Sequence, residues 1–225
     1  MPFNVNKYLS KFPDNVRLID LSNKNLKYIP DLSRFKNLQK LYCCNNKLTM
    51  LPTLPNSLKE LHCNNNKLTM LPTLPNSLIE LVCNNNQLTE LPTLPTSLKY
   101  LVCFNNQLTM LPTLPNSLIS VFCYNNQLTM LPTLPTSLHY IMYNNTPIYD
   151  IITKIQYNNI ELTNKQLEIL HNFRNLYYAL KFKSKLRKWL YKVREPLIQA
   201  KYHPANLAKM LENIQYVDDV DFDTW

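Results

Sequence analysis

The sequence predicts a solenoid: short coils stacked side by side, each adding one strand to a parallel β-sheet, with a helical cap at the C-terminal end. Three observations carry that expectation. A unit of twenty residues returns almost unchanged at Leu38, Leu58, Leu78, Leu98 and Leu118. Within each unit the apolar residues keep fixed offsets, and each connecting segment carries two prolines.

The offsets define the coil. In LKELHCNNNKLTMLPTLPNS, from Leu58 to Ser77, the residues Leu58, Leu61 and Cys63 belong to one short strand. Alternation points Leu61 and Cys63 inward together. Leu68, Leu71 and Leu74 line the rest of the coil. No coil can bury that stripe alone, so neighbours must stack, and each stacked Leu contributes roughly 1.5–3 kcal/mol. Proline fixes φ and removes a donor, so LPTLPNS is expected to run extended and polyproline-like on the convex side.

The opening unit starts near Val16 and is two residues longer; the closing one starts at Leu138 and decays after Ile148. The chain therefore divides into an N-terminal cap segment, 1–15, a solenoid of about seven coils, 16–148, a helical region, 149–216, and an acidic tail, 217–225. Asn46, Asn66, Asn86, Asn106 and Asn126 recur where the chain leaves each strand. A buried amide there can bond backbone groups of adjacent coils that no sheet ladder satisfies. In the seventh coil this position is Thr146, followed by Pro147, so the ladder is expected to end there.

The pattern LxxLxCxNNxLTxLPTLPxSL resembles the twenty-residue leucine-rich repeats of bacterial type III-secreted effectors. It is also similar to leucine-rich-repeat proteins of giant, mimivirus-like viruses, with KYHPANLAKMLEN a further point of likeness. The resemblance covers about Val16 to Ile148 and implies a leucine-rich-repeat solenoid that recognises a protein partner, commonly inside a host cell. Some bacterial relatives add a ubiquitin-ligase domain with a catalytic cysteine. This chain departs from that pattern, since no cysteine follows Cys123.

Enzymatic readings find little support. Glycine is absent, which removes the phosphate-cradling loop, the dinucleotide-binding turn and the nucleophile elbow. Cys43, Cys63, Cys83, Cys103 and Cys123 recur at inward strand positions, where a free thiol acts as a small hydrophobe. Metal-type CxxC spacings are missing. His62, His139, His171 and His203 are scattered, with His62 and His139 expected to face outward. No catalytic residue, cofactor or metal ligand is expected. No apolar run is long enough to span a bilayer, the first residues lack a secretory core, and an intracellular setting is the default expectation.

The informative positions vary while the frame stays constant. The outward residue of each strand reads Asp20, Tyr42, His62, Val82, Val102, Phe122, Met142. Two residues later come Ser22, Cys44, Asn64, Asn84, Phe104, Tyr124, Asn144, and two residues earlier Leu18, Lys40, Glu60, Glu80, Tyr100, Ser120, Tyr140. The later coils thus present Val82, Tyr100, Val102, Phe104, Phe122, Tyr124, Tyr140 and Met142, an apolar and aromatic patch of the kind that marks contacts. A foreign protein partner, a second copy in a homo-oligomer, or the chain's own C-terminal region could each cover it.

Beyond Pro147 the pattern becomes helical. Ile148, Ile151, Ile152 and Ile155 suggest a short helix, and Thr163 is a start signal for an amphipathic stretch through Leu167, Leu170, Phe173, Tyr177, Leu180, Phe182, Leu186, Trp189 and Val193. Lys181, Lys183, Lys185, Arg187, Lys188, Lys192 and Arg194 give this stretch a basic face without an acid between them. With a net charge of +9, that face could meet nucleic acid or an anionic membrane, or could simply be the wet side of a helix closing the solenoid.

Overall fold

The computed structural model describes residues 3–152, 160–161, 163–172 and 174–175. The chain divides into two units, Met1–Leu170 and His171–Trp225, and nearly all the described residues belong to the first. A short helix, α1 (Val5–Leu9), precedes seven strands: β1 (Leu18–Asp20), β2 (Lys40–Tyr42), β3 (Glu60–His62), β4 (Glu80–Val82), β5 (Tyr100–Val102), β6 (Ser120–Phe122) and β7 (Tyr140–Met142). They form one sheet in sequence order, every neighbouring pair parallel. Leu61 pairs with Leu81 and Leu81 with Leu101, whereas Ile19 pairs with Leu41 across the longer opening unit. The sheet is the solenoid that the periodicity predicts.

Each strand is three residues long because only its central residue and the flanking offsets serve the core. Ile19, Leu41, Leu61, Leu81, Leu101 and Val121 are wholly buried, as are the cysteines from Cys43 to Cys123 that follow at the inward position. Leu58, Leu68 and their equivalents are equally buried, while the Leu71 and Leu74 rows of the Pro-rich segment lie only slightly nearer the surface. That segment carries neither strand nor helix, as its prolines dictate.

Two side-chain ladders close the backbone accounts. In the first, the Asn86 amide donates to the carbonyls of Cys63 and Cys83, both at 3.1 Å, and its oxygen accepts the N–H of Leu68 at 3.0 Å. Asn66, Asn106 and Asn126 repeat the arrangement in their own coils. In the second, Ser77 donates to the carbonyl of Leu58 and Ser97 to that of Leu78, with Ser57, Ser117 and Ser137 in the same role. The asparagine ladder is legible in the repeat. The serine ladder is not, because Ser in a Pro-rich turn has many local uses.

A chain without glycine must find other residues for left-handed backbone. Here Asn23, Asn25, Asn45, Asn65, Asn85, Asn105, Asn125 and Asn145 all have φ between 51° and 58°. Asn tolerates this region better than other residues with a Cβ because its short polar side chain bonds locally. From coil to coil these side chains also bond one another, Asn85 Nδ2 donating to Asn65 Oδ1 at 2.7 Å and Asn105 Nδ2 to Asn85 Oδ1 at 2.6 Å. The first Asn of each NN pair thus bends the chain and links the coils at the surface, while the second bridges their buried backbone.

At the N-terminal end, Asn4 caps α1 by accepting from the Lys7 N–H, and Val5 and Leu9 are buried in the core. Arg34 pins this region: its guanidinium donates to Asp14 at 2.7 Å and to the Leu9 carbonyl at 2.6 Å, and lies 4.1 Å from the centre of the Phe35 ring. At the other end Thr146 bonds its own coil's Tyr143 carbonyl instead of bridging two coils. Pro147 opens α2 (Pro147–Ile152), and the Ile148 N–H donates to the Leu128 carbonyl. Ile155 lies outside the described residues.

Residues 160–161 and 163–172 are helical, Ile160 packs on the core, and Thr163 is buried. In the helical segment 163–172, Asn164 exchanges two hydrogen bonds with the Leu134 backbone, at 2.8 and 2.9 Å, and Leu167 and Leu170 lie against the core. The rest of the amphipathic stripe, from Phe173 on, lies outside the described residues.

Asn86→Ala removes both halves of a buried bridge and is expected to lower unfolding free energy by roughly 2–4 kcal/mol in urea titration. An unchanged midpoint would contradict the ladder's role. Asn105→Val is expected to be about 1–2 kcal/mol less stable than Asn105→Gly, because only the β-branched side chain clashes at positive φ; equal stabilities would show that backbone geometry is not limiting there.

Candidate functional site

The outward face of the sheet is built from the residues that the core does not need. Side chains two apart on one strand share a face, and the parallel register places equivalent residues of successive coils side by side at about 4.8 Å. Three outward columns result, and they divide into a polar part and an apolar part.

The apolar part gathers the residues singled out in the sequence. Val82, Val102, Phe122 and Met142 occupy one column, each half-buried. Phe104 and Tyr124 stack face to face with ring centres 4.4 Å apart and planes 8° from parallel. Phe122 meets Tyr140 at 5.4 Å in a tilted arrangement. Tyr100 and Tyr140 remain 40% and 49% exposed, so the rings are steadied by one another but not covered. Offset or tilted pairs of this kind add about 0.5–1.5 kcal/mol beyond burial, which fixes the side chains without sealing them from a partner.

The polar part was not read as a site from the sequence. Lys40 Nζ lies 2.9 Å from Glu60 Oε1, Tyr42 donates to Glu60 Oε2 at 2.9 Å, and His62 Nε2 lies 3.1 Å from Glu80 Oε1. The Tyr42 and His62 rings stack at 4.6 Å. Burial works against the Glu60 carboxylate, but the hydrogen bonds from Lys40 and Tyr42 outweigh it and hold Glu60 below the usual range. The same hydrogen bond and charge raise Lys40, and burial, with the Glu60 bond, raises Tyr42. The signal was present: folding the sequence on its period sets Glu60 beside Glu80, with His62 two residues on.

The remaining candidates fall elsewhere. His139 is exposed just before β7, outside the three outward columns, and its Nδ1 lies 2.7 Å from the Ser137 carbonyl oxygen. His171 is exposed. His203 and the basic residues Lys181, Lys183, Lys185, Arg187, Lys188, Lys192 and Arg194 lie outside the described residues. A feature the sequence reading passed over is a row of exposed methionines, Met50, Met70 and Met110, at the entry to the Pro-rich segment.

The six cysteines are free thiols, and five are buried. Burial pushes the Cys83 and Cys123 thiols up to about 12 and raises Cys43, Cys63 and Cys103 as well. Cys44, half-buried, is raised as well. The five buried thiols are packed within the hydrophobic core, while Cys44 stands in an outward column.

No family model matches the chain, and no curated protein matches it in sequence. Solved structures do. YopM from Yersinia enterocolitica WA-314 is 34% identical over 60% of this chain and 35% of its own, with a TM-score of 0.50. YopM from Yersinia pestis, a leucine-rich effector protein, is 36% identical over 58% of this chain and 43% of its own, with a TM-score of 0.51. A Shigella effector leucine-rich-repeat domain is 33% identical over 63% of both chains, with a TM-score of 0.55. This chain thus spans less than half the length of either YopM structure. The fold is a leucine-rich-repeat solenoid, similar to those of bacterial effectors.

The thiols yield a pH test whose sign follows from their shifts. Unfolded, each titrates near its ordinary value of 9.0; folded, Cys83 and Cys123 hold their protons up to about 12. Their stabilising contribution is therefore complete below pH 9 and is lost as pH rises toward 12. Each buried thiol should steepen the fall by about 1.4 kcal/mol per pH unit. Cys83→Ala should flatten the alkaline limb of stability against pH by one proton; an unaltered slope would mean that Cys83 already ionises in the folded state.

Proposed function

We propose that this chain is a non-catalytic protein-interaction module that docks a partner protein on the outward, concave side of its sheet. The observation that carries the reading is the aromatic part of the outward face. Tyr100, Phe104, Phe122, Tyr124 and Tyr140 stand where the scaffold leaves side chains free, and Tyr100 and Tyr140 keep 40% and 49% of their surface in water. Large rings on a rigid frame lose little entropy on binding and dominate interface energy. Val82, Val102 and Met142 extend the apolar surface around them.

The likeness to bacterial effector leucine-rich-repeat structures supports a protein partner and a host-directed role of that type; the giant-virus alternative rests on the sequence resemblance alone. No helix among the described residues is long and apolar enough to cross a membrane. The basic residues between Lys181 and Arg194 add a possible contact for an anionic partner, secondary to the sheet.

Phe122→Ser combined with Tyr124→Ser removes the centre of the aromatic surface without touching a buried row. The double variant should keep its Tm within about 4 °C of the parent and lose roughly thirtyfold or more in affinity for proteins captured from host lysate. Undiminished capture would overturn the assignment. A parent that light scattering finds as a dimer, with the double variant a monomer, would replace the foreign partner with a second copy.

A further inference from the structure

The aromatic columns leave the polar part of the outward face without a task, and its geometry is specific. Glu60 and His62 stand two residues apart on β3, hence on one face, and Glu80 of β4 pairs directly with Glu60. One ligand atom from each of Glu60, His62 and Glu80 lies within 4.8 Å of the other two. We propose that these three side chains bind a divalent transition-metal ion of the zinc class.

The distances suit such an ion. Zinc sits about 2.0–2.1 Å from nitrogen and oxygen ligands, so two ligand atoms of a tetrahedral site are separated by about 3.3–3.4 Å. His62 Nε2 and Glu80 Oε1 are already 3.1 Å apart as a hydrogen bond; the ion would take the place of its proton, which is released to solvent as the metal binds. Bringing the Glu60 oxygen to the same spacing takes a shift of at most about 1.5 Å, which the soft terminal torsions of Glu supply. One imidazole with two carboxylates favours zinc, nickel or copper; magnesium and calcium prefer sites made wholly of oxygen.

The surroundings are those that position metal ligands. The Tyr42 ring stacks on His62 and restrains its swing, while the Tyr42 hydroxyl donates to Glu60 Oε2 and orients that carboxylate. Two carboxylates directly opposite on neighbouring strands repel, which a dication would relieve. Lys40 works against the ion, since its ammonium occupies Glu60 Oε1, and the Tyr42 hydroxyl holds Glu60 Oε2. The Lys40 side chain is 43% exposed and can swing into water. The ligand side chains are themselves 25–34% exposed, so a fourth coordination position opens to solvent, where water or a side chain from a bound protein could complete the shell.

The test is zinc titration of the full, chelator-stripped chain by calorimetry, with the thiols kept reduced. One zinc per chain should bind, Tm should rise with zinc by mass action, and magnesium should leave both unaffected. His62→Ala and Glu80→Gln should each weaken zinc binding roughly tenfold or more, with circular dichroism unchanged because all three positions are outside the core. Lys40→Met, which removes the competing cation, should bind at least as tightly as the parent. Absence of one-to-one binding at about 100 μM zinc, or binding that His62→Ala and Glu80→Gln together leave intact, would overturn the proposal; the latter would place zinc at thiols or other histidines instead.

Discussion

Every coil of this protein leaves its strand after three residues, and at that point backbone donors and acceptors are buried with no sheet partner to satisfy them. The buried asparagine resolves this for two coils at once. Asn86 bonds carbonyls of Cys63 and Cys83 and the N–H of Leu68, so it ties its own coil to the one before. Stacked leucines supply the larger share of the free energy, but apolar burial is indifferent to small shifts in register. The amide is not, because a displaced coil strands buried polar groups at about 1–3 kcal/mol each. The parallel register is held by that bridge, which Asn46 makes even across the longer opening unit.

The absence of glycine sharpens the same constraint. A coil must turn through left-handed backbone just before the bridging amide, and asparagine takes that position from Asn45 through Asn145. The NN pair is therefore two devices in tandem: the first residue bends the chain and bonds its counterparts near the surface, and the second bonds buried backbone. Where the pair becomes Asn145-Thr146, the bend survives but the bridge does not, since the hydroxyl reaches only its own coil. Pro147 then opens a helix, and stacking of identical coils ceases.

A frame held by buried rows leaves the outward columns free to differ. Substitution along Lys40, Glu60, Glu80, Tyr100, Ser120 and Tyr140 exchanges charge for aromatic surface while Leu41, Leu61, Leu81, Leu101, Val121 and Ile141 between them stay inside. The face divides accordingly into an ionic part around Glu60 and an aromatic part around Phe122. The two parts differ in chemistry, one charged and the other apolar.

The period, the inward rows, the bridging asparagines and the outward aromatic residues were legible in the sequence, because each is set by repetition or by alternation within one strand. So was the structural place of the cysteines, which follow a row of leucine-equivalent positions. Contacts across strands were harder to read. That Glu80 reaches His62, that Phe104 stacks on Tyr124, and that Ser77 answers the Leu58 carbonyl depend on side-chain direction and coil spacing, which repetition alone leaves open. The two hydrogen bonds between Asn164 and the Leu134 backbone likewise join segments thirty residues apart. Local pattern determined which residues face which way; only the stacked coils, at one strand's spacing, decided which of them meet.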